Sequence, residues 1–206
     1  MAVKRNYQKE LDNVILKLEQ EGRRPKLLLH SCCGPCSSYV LEYLSKYFDI
    51  TVWFYNPNIE PAKEYELRLS EQKRLIPEMG LPGDPSVDEG PYEPGIFHEA
   101  VSGLENEPEG GKRCEKCFCL RLEKTAERAL EKGFDLFTTT LTVSPHKNAE
   151  LLNGIGEEIA ARYGVAFLNS DFKKKDGYKR SIELSKQYGL YRQDYCGCVY
   201  SRRGQE

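Results

Sequence analysis

Eight cysteines in three short groups are the first feature of this 206-residue chain that points to chemistry. The groups are CCGPC at residues 32–36, CEKCFC at 114–119 and CGC at 196–198. Soft metals prefer thiolate ligands, and three or four thiolates carried by short turns can point inward together. The pattern therefore indicates a metal site or redox-active thiols.

The thiols alone leave three interpretations open. Residues 33–36 read Cys-Gly-Pro-Cys, the dithiol motif of thioredoxin, and chemistry of that kind needs only Cys33 and Cys36. The two CxxC pairs, at 33/36 and 114/117, would permit one tetrathiolate zinc site. An iron-sulfur cluster beside a second metal or redox pair uses more of the thiols, because four hold one cluster and the others serve its neighbour.

Cys119 is the weakest of the candidate metal ligands. It lies two residues past Cys117, and on a helix that spacing directs the two side chains to different faces. Free cysteine also behaves as a small buried apolar residue. We expect Cys119 to have that structural role.

Composition places the chain among globular proteins, with 39% hydrophobic and 30% charged residues and no apolar run of about 20 residues. The N-terminal segment lacks the apolar core of a secretory signal and instead spaces Tyr7, Leu11, Val14 and Leu18 on one helical face. We expect a cytoplasmic protein that does not enter a membrane. In the reducing cytoplasm structural disulfides are disfavoured. A secreted disulfide scaffold is the alternative.

Predicted strands alternate with predicted helices along the chain. The strands are expected at 26–30, 50–56, 135–141 and 165–170, and the helices at 37–48, 62–76 before Pro77, 97–101, 114–133 and 148–164. The loops at 81–95 and 104–111 are expected to be surface excursions. This alternation predicts an α/β fold: one domain over residues 1–206, with a parallel sheet of about four to five strands flanked by helices in a Rossmann-like three-layer arrangement.

Ligands in such folds gather outside the carboxyl ends of the strands. Polar and thiol residues follow each predicted strand directly: 30–33 (His-Ser-Cys-Cys), 56–58 (Asn-Pro-Asn), 142–146 (Thr-Val-Ser-Pro-His) and Asp171. We expect them to meet along one edge of the sheet. The first turn lacks the glycine-rich patterns that cradle phosphates, so no directly bound NAD or ATP is expected there.

Three side chains near the strand ends are candidates for proton transfer. His30 and His146 titrate near neutrality in the ordinary case, as a proton relay requires, although a structural role is common for a lone histidine. His146 could equally contact an RNA base or belong to a helix start. Asp171 is a candidate metal ligand or proton donor; its alternatives are a helix N-cap or an ion-pair partner of the lysines at 173–175.

Basic and aromatic residues late in the chain form a candidate RNA surface, although the net charge of −2 argues against indiscriminate nucleic-acid binding. A single-stranded loop would offer its bases to aromatic rings and its phosphates to lysine and arginine. A solvated face is the alternative for this run. The candidates are Lys147, Lys174, Lys175, Tyr178, Arg180 and Arg192.

Several long motifs resemble the epoxyqueuosine reductase family called QueH. They are HSCCGPC from residue 30, YNPNIEPAKEYELR from 55, the CEKC helix start, TTTLTVSPHKN from 138, and DFKKKDGYKRSIELSKQYGLYRQDYCGCVYS ending at 201. The motifs span nearly the whole chain. Unbroken blocks of this length are far more specific than a lone CxxC.

The resemblance implies reductive deoxygenation of epoxyqueuosine to queuosine, at the wobble position of a tRNA anticodon, on a fold similar to nucleotide hydrolases. It implies a [4Fe-4S] cluster beside a second iron, and no cobalamin. We expect an external electron donor such as a ferredoxin or flavodoxin system. Metal binding is carried over to seven cysteines without assigning each thiol to a metal: Cys32, Cys33, Cys36, Cys114, Cys117, Cys196 and Cys198.

Two residues depart from the pattern of the family. Cys119 lies outside it, and Asp194 stands where a neutral residue is expected before Tyr195. Asp194 would be a ligand if it faced the cluster, but its polar neighbours Arg192 and Gln193 favour a surface position. A zinc-stabilised RNA-binding protein without catalysis, and a thiol-disulfide oxidoreductase using Cys33 and Cys36, remain the alternative functions.

Overall fold

The central sheet consists of five parallel strands in the computed structural model, which describes residues 5–202. The strands are β1 (Lys26–His30), β2 (Asp49–Phe54), β3 (Ser86–Glu89), β4 (Leu136–Thr139) and β5 (Ala166–Phe167). Their order across the sheet is β3-β2-β1-β4-β5. The predicted α/β class and the parallel sheet of four to five strands are confirmed.

Helices cover both faces of the sheet. They are α1 (Tyr7–Glu21), α2 (Gly34–Leu44), α3 (Ala62–Met79), α4 (Pro94–Ala100), α5 (Lys112–Lys132), α6 (Ala149–Tyr163) and α7 (Gly177–Gln187). Short 3₁₀ turns occupy Thr140–Val143 and Val199–Arg202. Within residues 5–202, none of the helices is both long enough and apolar enough to cross a membrane.

Alternation along β1 explains the three layers. Successive side chains of a strand point to opposite faces. Leu27 and Leu29 pack into the apolar cluster that contains residues of α1, α2 and α7, whereas Leu28 packs with residues of α5 and α6. All three leucines are fully buried. A strand that is apolar on both faces is the expected centre of a parallel sheet.

Four observed elements differ from the predicted ones. Helix α3 runs through Pro77 to Met79 and ends at Gly80 in the left-handed conformation; Pro77 removes one helix hydrogen bond in the last turn but does not end the helix. Strand β3 lies inside the predicted loop 81–95, and α7 lies in the segment that we treated only as a basic surface. Strand β4 ends at Thr139, where the 3₁₀ turn begins.

The strand ends meet as predicted at one edge of the sheet. The Asn56 side chain donates to the Ser31 carbonyl at 2.8 Å, and the His30 ring contacts Thr139 Oγ1 at 3.0 Å. The chain order reverses between β1 and its neighbour β4, and the crevice at such a switch point is the usual ligand site of a doubly wound sheet. The CCGPC turn begins at this point.

Candidate metal centre

The first thiol group, Cys32, Cys33 and Cys36, lies in the turn from β1 into α2. Cys33 is the N-cap of α2 in extended conformation, and Pro35 lies in the first helical turn, where its missing N–H removes no helix hydrogen bond. The Sγ atoms of Cys32 and Cys33 are 3.9 Å apart. The CGPC sequence thus opens a helix whose dipole favours negative charge on these thiols.

Hydrogen bonds within the first thiol group separate the acidities of its members. Those from Cys32 and Cys36 lower the pKa of Cys33 well below that of an ordinary thiol, and Gln193 adds to the effect. The same contacts raise the pKa of Cys32, chiefly through Cys33, and the pKa of Cys36, chiefly through Cys32. Cys33 is therefore the most acidic of the three thiols.

The second thiol group, Cys114, Cys117, Cys196 and Cys198, joins two distant parts of the chain. The first two thiols come from the start of α5 and the other two from the C-terminal segment, which we define as residues 191–202. All four line one small cavity. The Gly110 N–H donates to Cys114 Sγ at 3.2 Å, the kind of hydrogen bond that tunes metal-bound sulfur.

Burial controls the acidity of the second thiol group. It raises the pKa of Cys117 to about 12 and also raises the pKa of Cys198. Such thiols stay protonated unless a cation compensates the charge of the thiolate. A metal ion does this directly, because ligation releases the thiol proton.

The CGC loop at 196–198 is anchored to α3 and to the residues before it. Arg68 donates to the Cys196 carbonyl at 3.2 Å, and the Glu60 N–H donates to the Gly197 carbonyl at 2.9 Å. Gly197 has φ +103°, and a Cβ there would lie 2.9 Å from Ile59 Cγ1 and 3.0 Å from Arg68 Nη1. The loop thus requires glycine, both for its backbone conformation and for its close packing.

A second cavity of about 180 Å³ joins the two thiol groups. Its walls include Cys32 and Cys36 from the first group and Cys196 from the second, together with Lys147 and Arg121. We call this space the thiol cavity. Cys119 lines neither cavity and packs against the apolar cluster between the sheet and α5, as its position on the helix predicted.

Two cations at the thiol cavity distinguish it from a simple cysteine cluster. Lys147 Nζ lies 3.7 Å from Cys196 Sγ, and electrostatic attraction by that sulfur raises the pKa of the lysine. Arg121 is 1% exposed and lines both cavities. Burial by itself lowers the pKa of Arg121, but electrostatic attraction by the surrounding cysteine sulfurs, chiefly Cys117 and Cys196, outweighs burial and raises it.

Arg121 was missed by the sequence analysis, although a signal was present. It lies seven residues after Cys114 and four after Cys117, so all three side chains share one face of α5. We expected Lys147 on an RNA surface, but the structure places its amino group at the thiols. Both cations therefore belong to the site.

The donor set fits an anionic metal centre in number, type and surroundings. Within residues 5–202, no three Cys, His, Asp or Glu side chains are already arranged as the ligands of one metal ion. However, Arg121 Nη2 is buried and has no hydrogen-bond partner, and Cys117 is a buried thiol of high pKa. Each is unfavourable alone, and a thiolate-ligated metal of net negative charge would relieve both.

His30 does not titrate near neutrality as expected. Its ring is fully buried, with Nδ1 at Thr139 Oγ1 and Nε2 at 3.2 Å from the Tyr55 carbonyl. Burial, reinforced by the charge of Arg121, lowers the pKa of His30 to about 4. The neutral ring instead ties β1 to β4 and β2 at the edge where the CCGPC turn starts.

The other candidates for proton transfer lie near the thiol cavity. Asp171 lies 3.0 Å from Lys173 Nζ, as its ion-pair alternative proposed, and lines a neighbouring cleft with Lys147. His146 is exposed in the turn before α6. Asp194 is exposed as favoured, but it also lines the thiol cavity. Catalytic roles for Asp171 and His146 stay predictions.

Most of the candidate RNA-binding residues are exposed, but several already have partners. Lys175 Nζ lies 2.7 Å from Asp12 Oδ1, and Arg180 lies 2.7 Å from Glu42 Oε1. Arg192 donates to Ser185 Oγ at 3.0 Å. Tyr178 is 37% exposed on α7. Lys174 is exposed and lines the cleft beside the thiol cavity.

Fold and site together define a class of protein: a doubly wound parallel α/β protein with a cysteine-rich, cationic pocket at the switch point of its sheet. A family profile described as "Epoxyqueuosine reductase QueH" matches residues 27–204. The chain belongs to the epoxyqueuosine reductase QueH family, a family of oxidoreductases, and the resemblance of its motifs is thereby confirmed.

Individual relatives agree with this assignment. A protein named "Epoxyqueuosine reductase QueH" from Streptococcus pyogenes serotype M1 is 45% identical over 202 residues, covering 97% of this chain and 79% of the relative. The Staphylococcus epidermidis protein of that name is 48% identical over 200 residues, covering 95% and 84%. The Thermotoga maritima protein of that name is 39% identical over 178 residues, covering 85% and 89%.

A weaker likeness exists among solved structures. A chain described as a predicted subunit of tRNA methyltransferase from Methanocaldococcus jannaschii has a TM-score of 0.48 and 14% identity, covering 78% of this chain and 74% of that one. This similarity is too weak to carry an argument about function.

Proposed function

We propose that this protein is an epoxyqueuosine reductase that converts epoxyqueuosine in tRNA to queuosine. The observation that carries the proposal is that six cysteines line two adjoining cavities at the switch point of the sheet, while the Sγ atom of a seventh, Cys33, lies 3.9 Å from that of Cys32. Membership of the family supplies the substrate. Removal of the epoxide oxygen takes two electrons and two protons, leaves an alkene and releases water.

The four thiols of the second group would hold a [4Fe-4S] cluster, because they line one cavity and four thiolates are the usual ligand set of such a cluster. The first group, Cys32, Cys33 and Cys36, would serve an adjacent iron. When bound, this centre supplies the electrons and a Lewis acid for the epoxide oxygen. An external electron donor of the ferredoxin or flavodoxin class would reduce the centre again after each turnover. The reaction would not require cobalamin.

Residues of the chain itself orient the substrate and stabilise charge. Lys147 lies in the thiol cavity with its amino group at Cys196, so a developing negative charge on the substrate oxygen would meet a fixed cation. Gln193 and Asp194 line the same cavity and could contact the modified base. Neutral His30 holds the strand ends in place.

The tRNA would approach through the cleft of about 470 Å³ that shares Lys147 with the thiol cavity. Asp171 and exposed Lys174 line this cleft, and His146 lies in the turn beside it. A splayed nucleotide could therefore place its base at the thiols while its backbone phosphates meet lysine. Asp171 or His146 would then be positioned for proton delivery.

A single-turnover assay tests the proposal. Anaerobically purified protein, reconstituted with iron and sulfide and reduced with dithionite, is mixed with tRNA that carries epoxyqueuosine. Mass spectrometry of the digested nucleosides should show the loss of one oxygen atom from the modified nucleoside. Cys119→Ser should retain conversion and Cys117→Ser should abolish it. Absence of conversion by protein that holds its full iron content would refute the proposal.

The alternative functions give different results in companion assays. A zinc-stabilised RNA-binding protein would hold about one zinc, no sulfide and no reductase activity. A thiol-disulfide oxidoreductase would reduce insulin in the presence of a chelator, and replacement of Cys33 alone would abolish that activity.

A further inference from the structure

Three arginines are buried beside the thiols, Arg68, Arg113 and Arg121, and the two most deeply buried, Arg68 and Arg121, differ in their counter-charge. Arg68 and Arg121 are each 1% exposed. Arg68 pairs with Glu64 Oε1 at 2.7 Å and also donates to backbone carbonyls. Within residues 5–202, Arg121 forms no ion pair with a carboxylate; Nε donates to the Cys117 carbonyl at 3.3 Å, and Nη2 has no partner.

The position of Arg121 relates it to both thiol groups. Its side chain extends back along α5 toward the start of the helix, as the hydrogen bond to the Cys117 carbonyl shows. It lines the small cavity of the second thiol group and also the thiol cavity that contains Cys32 and Cys36. It is therefore a fixed cation between the two groups.

A buried guanidinium without a counter-ion is unfavourable, and it is rarely retained unless an anion binds beside it. Four thiols lie near it, Cys114, Cys117 and Cys196 from the second group and Cys32 from the first. The exposed residue Glu109 also lines both cavities, but within residues 5–202 its carboxylate forms no ion pair with Arg121. Uncharged thiols cannot compensate the guanidinium. Thiolates that ligate a metal centre of net negative charge can do so.

We propose that Arg121 is a positioning residue that acts as the fixed counter-charge of the metal centre, promoting its assembly and raising its reduction potential. This inference rests on the metal centre in the proposed function. Reduction adds a negative charge to the centre, and a nearby cation stabilises the reduced form more than the oxidised form. Lys147 is half-buried and lines both the thiol cavity and the neighbouring cleft, so it remains available to a substrate that enters from the cleft.

Variants of Arg121 and a control on the same helix test this role. Wild type, Arg121→Lys, Arg121→Gln and Arg128→Gln are reconstituted anaerobically with iron and sulfide. Bound iron and sulfide are counted, and midpoint potentials are measured by spectroelectrochemical titration. Arg128 pairs with Asp88 and Glu131 at the surface of α5, so its replacement removes the same charge away from the thiols.

We expect Arg121→Gln to bind less iron and to have a more negative potential than wild type. Arg121→Lys should recover most of both properties, and Arg128→Gln should match wild type. Wild-type iron content and potential in Arg121→Gln would overturn the inference. If Arg121→Gln takes up no iron, Arg121→Lys decides: recovery of iron supports a role for the charge, and loss in both variants overturns it.

Failure of the proposed function gives a different result. Wild-type protein that binds no iron would refute the metal centre, and this inference with it. Iron-loaded wild type that reduces epoxyqueuosine in tRNA, with a potential that does not depend on the charge at Arg121, would refute this inference alone.

Discussion

The carboxyl edge of the sheet and the outer layer of α1, α2 and α7 both hold charged side chains close to the core, but they neutralise them differently. In the outer layer Asp12 pairs with Lys175 at 2.7 Å, and Arg180 pairs with Glu42 at 2.7 Å. At the carboxyl edge Arg121 faces thiols and one of its nitrogens has no partner.

This difference separates structure from function. Charges that have protein partners bring helices together, and their pairing is complete within the chain. Arg121 has no such carboxylate partner within residues 5–202, and a bound metal centre of net negative charge would supply its counter-charge. The comparison also divides the cations that we expected to bind RNA: Lys175 and Arg180 are already paired, whereas Lys174 is exposed beside the cleft.

The largest expected effect is the loss of metal when a ligand of the second thiol group is removed. Cys117→Ser should lose most of its bound iron, because hydroxyl is a poor ligand for soft iron-sulfur chemistry. Cys119→Ser, two residues away on another face of α5, should keep wild-type iron. Equal iron in both variants, measured after anaerobic reconstitution, would remove Cys117 from the ligand set.

The next effect contrasts two ion pairs. Arg68→Gln leaves the Glu64 carboxylate buried without its partner and should lower the free energy of unfolding by about 3–5 kcal/mol. Arg180→Gln breaks exposed pairs and should cost about 1 kcal/mol or less. Urea unfolding of both variants measures these costs. Similar losses of unfolding free energy in the two variants would show that burial of the ion pair does not determine its contribution to stability.

A smaller effect concerns tRNA binding. Lys174→Ala should weaken binding of tRNA and reduce the slope of log affinity against log salt by about 1, because one phosphate contact is lost. Arg180→Ala should change both less, since its guanidinium is already held by Glu42 and Glu183. Fluorescence anisotropy at several salt concentrations distinguishes them. If Arg180→Ala weakened tRNA binding more than Lys174→Ala, the RNA surface would have to be assigned to α7 instead.

The smallest effect is a pH dependence in the outer layer. Burial alone would raise the pKa of Asp12, but hydrogen bonds from Lys175, Gln8 and Tyr43 lower it overall. A carboxyl whose pKa is lowered on folding stabilises the protein above its unfolded pKa, about 4, and this contribution is lost as pH falls through the folded value.

The comparison is wild type against Asp12→Asn, by urea unfolding across pH. The variant should be less stable by about 1 kcal/mol or less at neutral pH, because the pair is partly exposed. The gap should narrow below about pH 4. A gap that does not change with pH would assign the cost to packing.

Much of the fold follows from local patterns. The apolar run of β1 and the glycine ends of α5 and α6 were predicted because each signal is strong within a few residues. Strand β3 was missed because Ser86–Glu89 is polar and only partly covered, so no apolar alternation marks it. Its pairing with β2 depends on the sheet beside it, which local sequence does not show.

The site was predictable in its thiols but not in its electrostatics. The strand-end rule correctly brought residues 30–33 and 56–58 together. It could not show that His30 would be enclosed by Thr139 and Tyr55, and this burial determines its pKa. In the sequence, the spacing of Arg121 from Cys114 and Cys117 shows only that they share a helix face. Its burial also depends on the C-terminal segment, which contributes Cys196 and Cys198 to the same cavity.

The central claim is that these cysteines hold iron and sulfide. The most direct measurement is the iron, sulfide and zinc content of protein purified without oxygen, together with its visible spectrum. We predict about four or more irons per chain with sulfide, and a broad absorbance that bleaches with dithionite. About one zinc per chain, with no sulfide even after anaerobic reconstitution, would contradict the account.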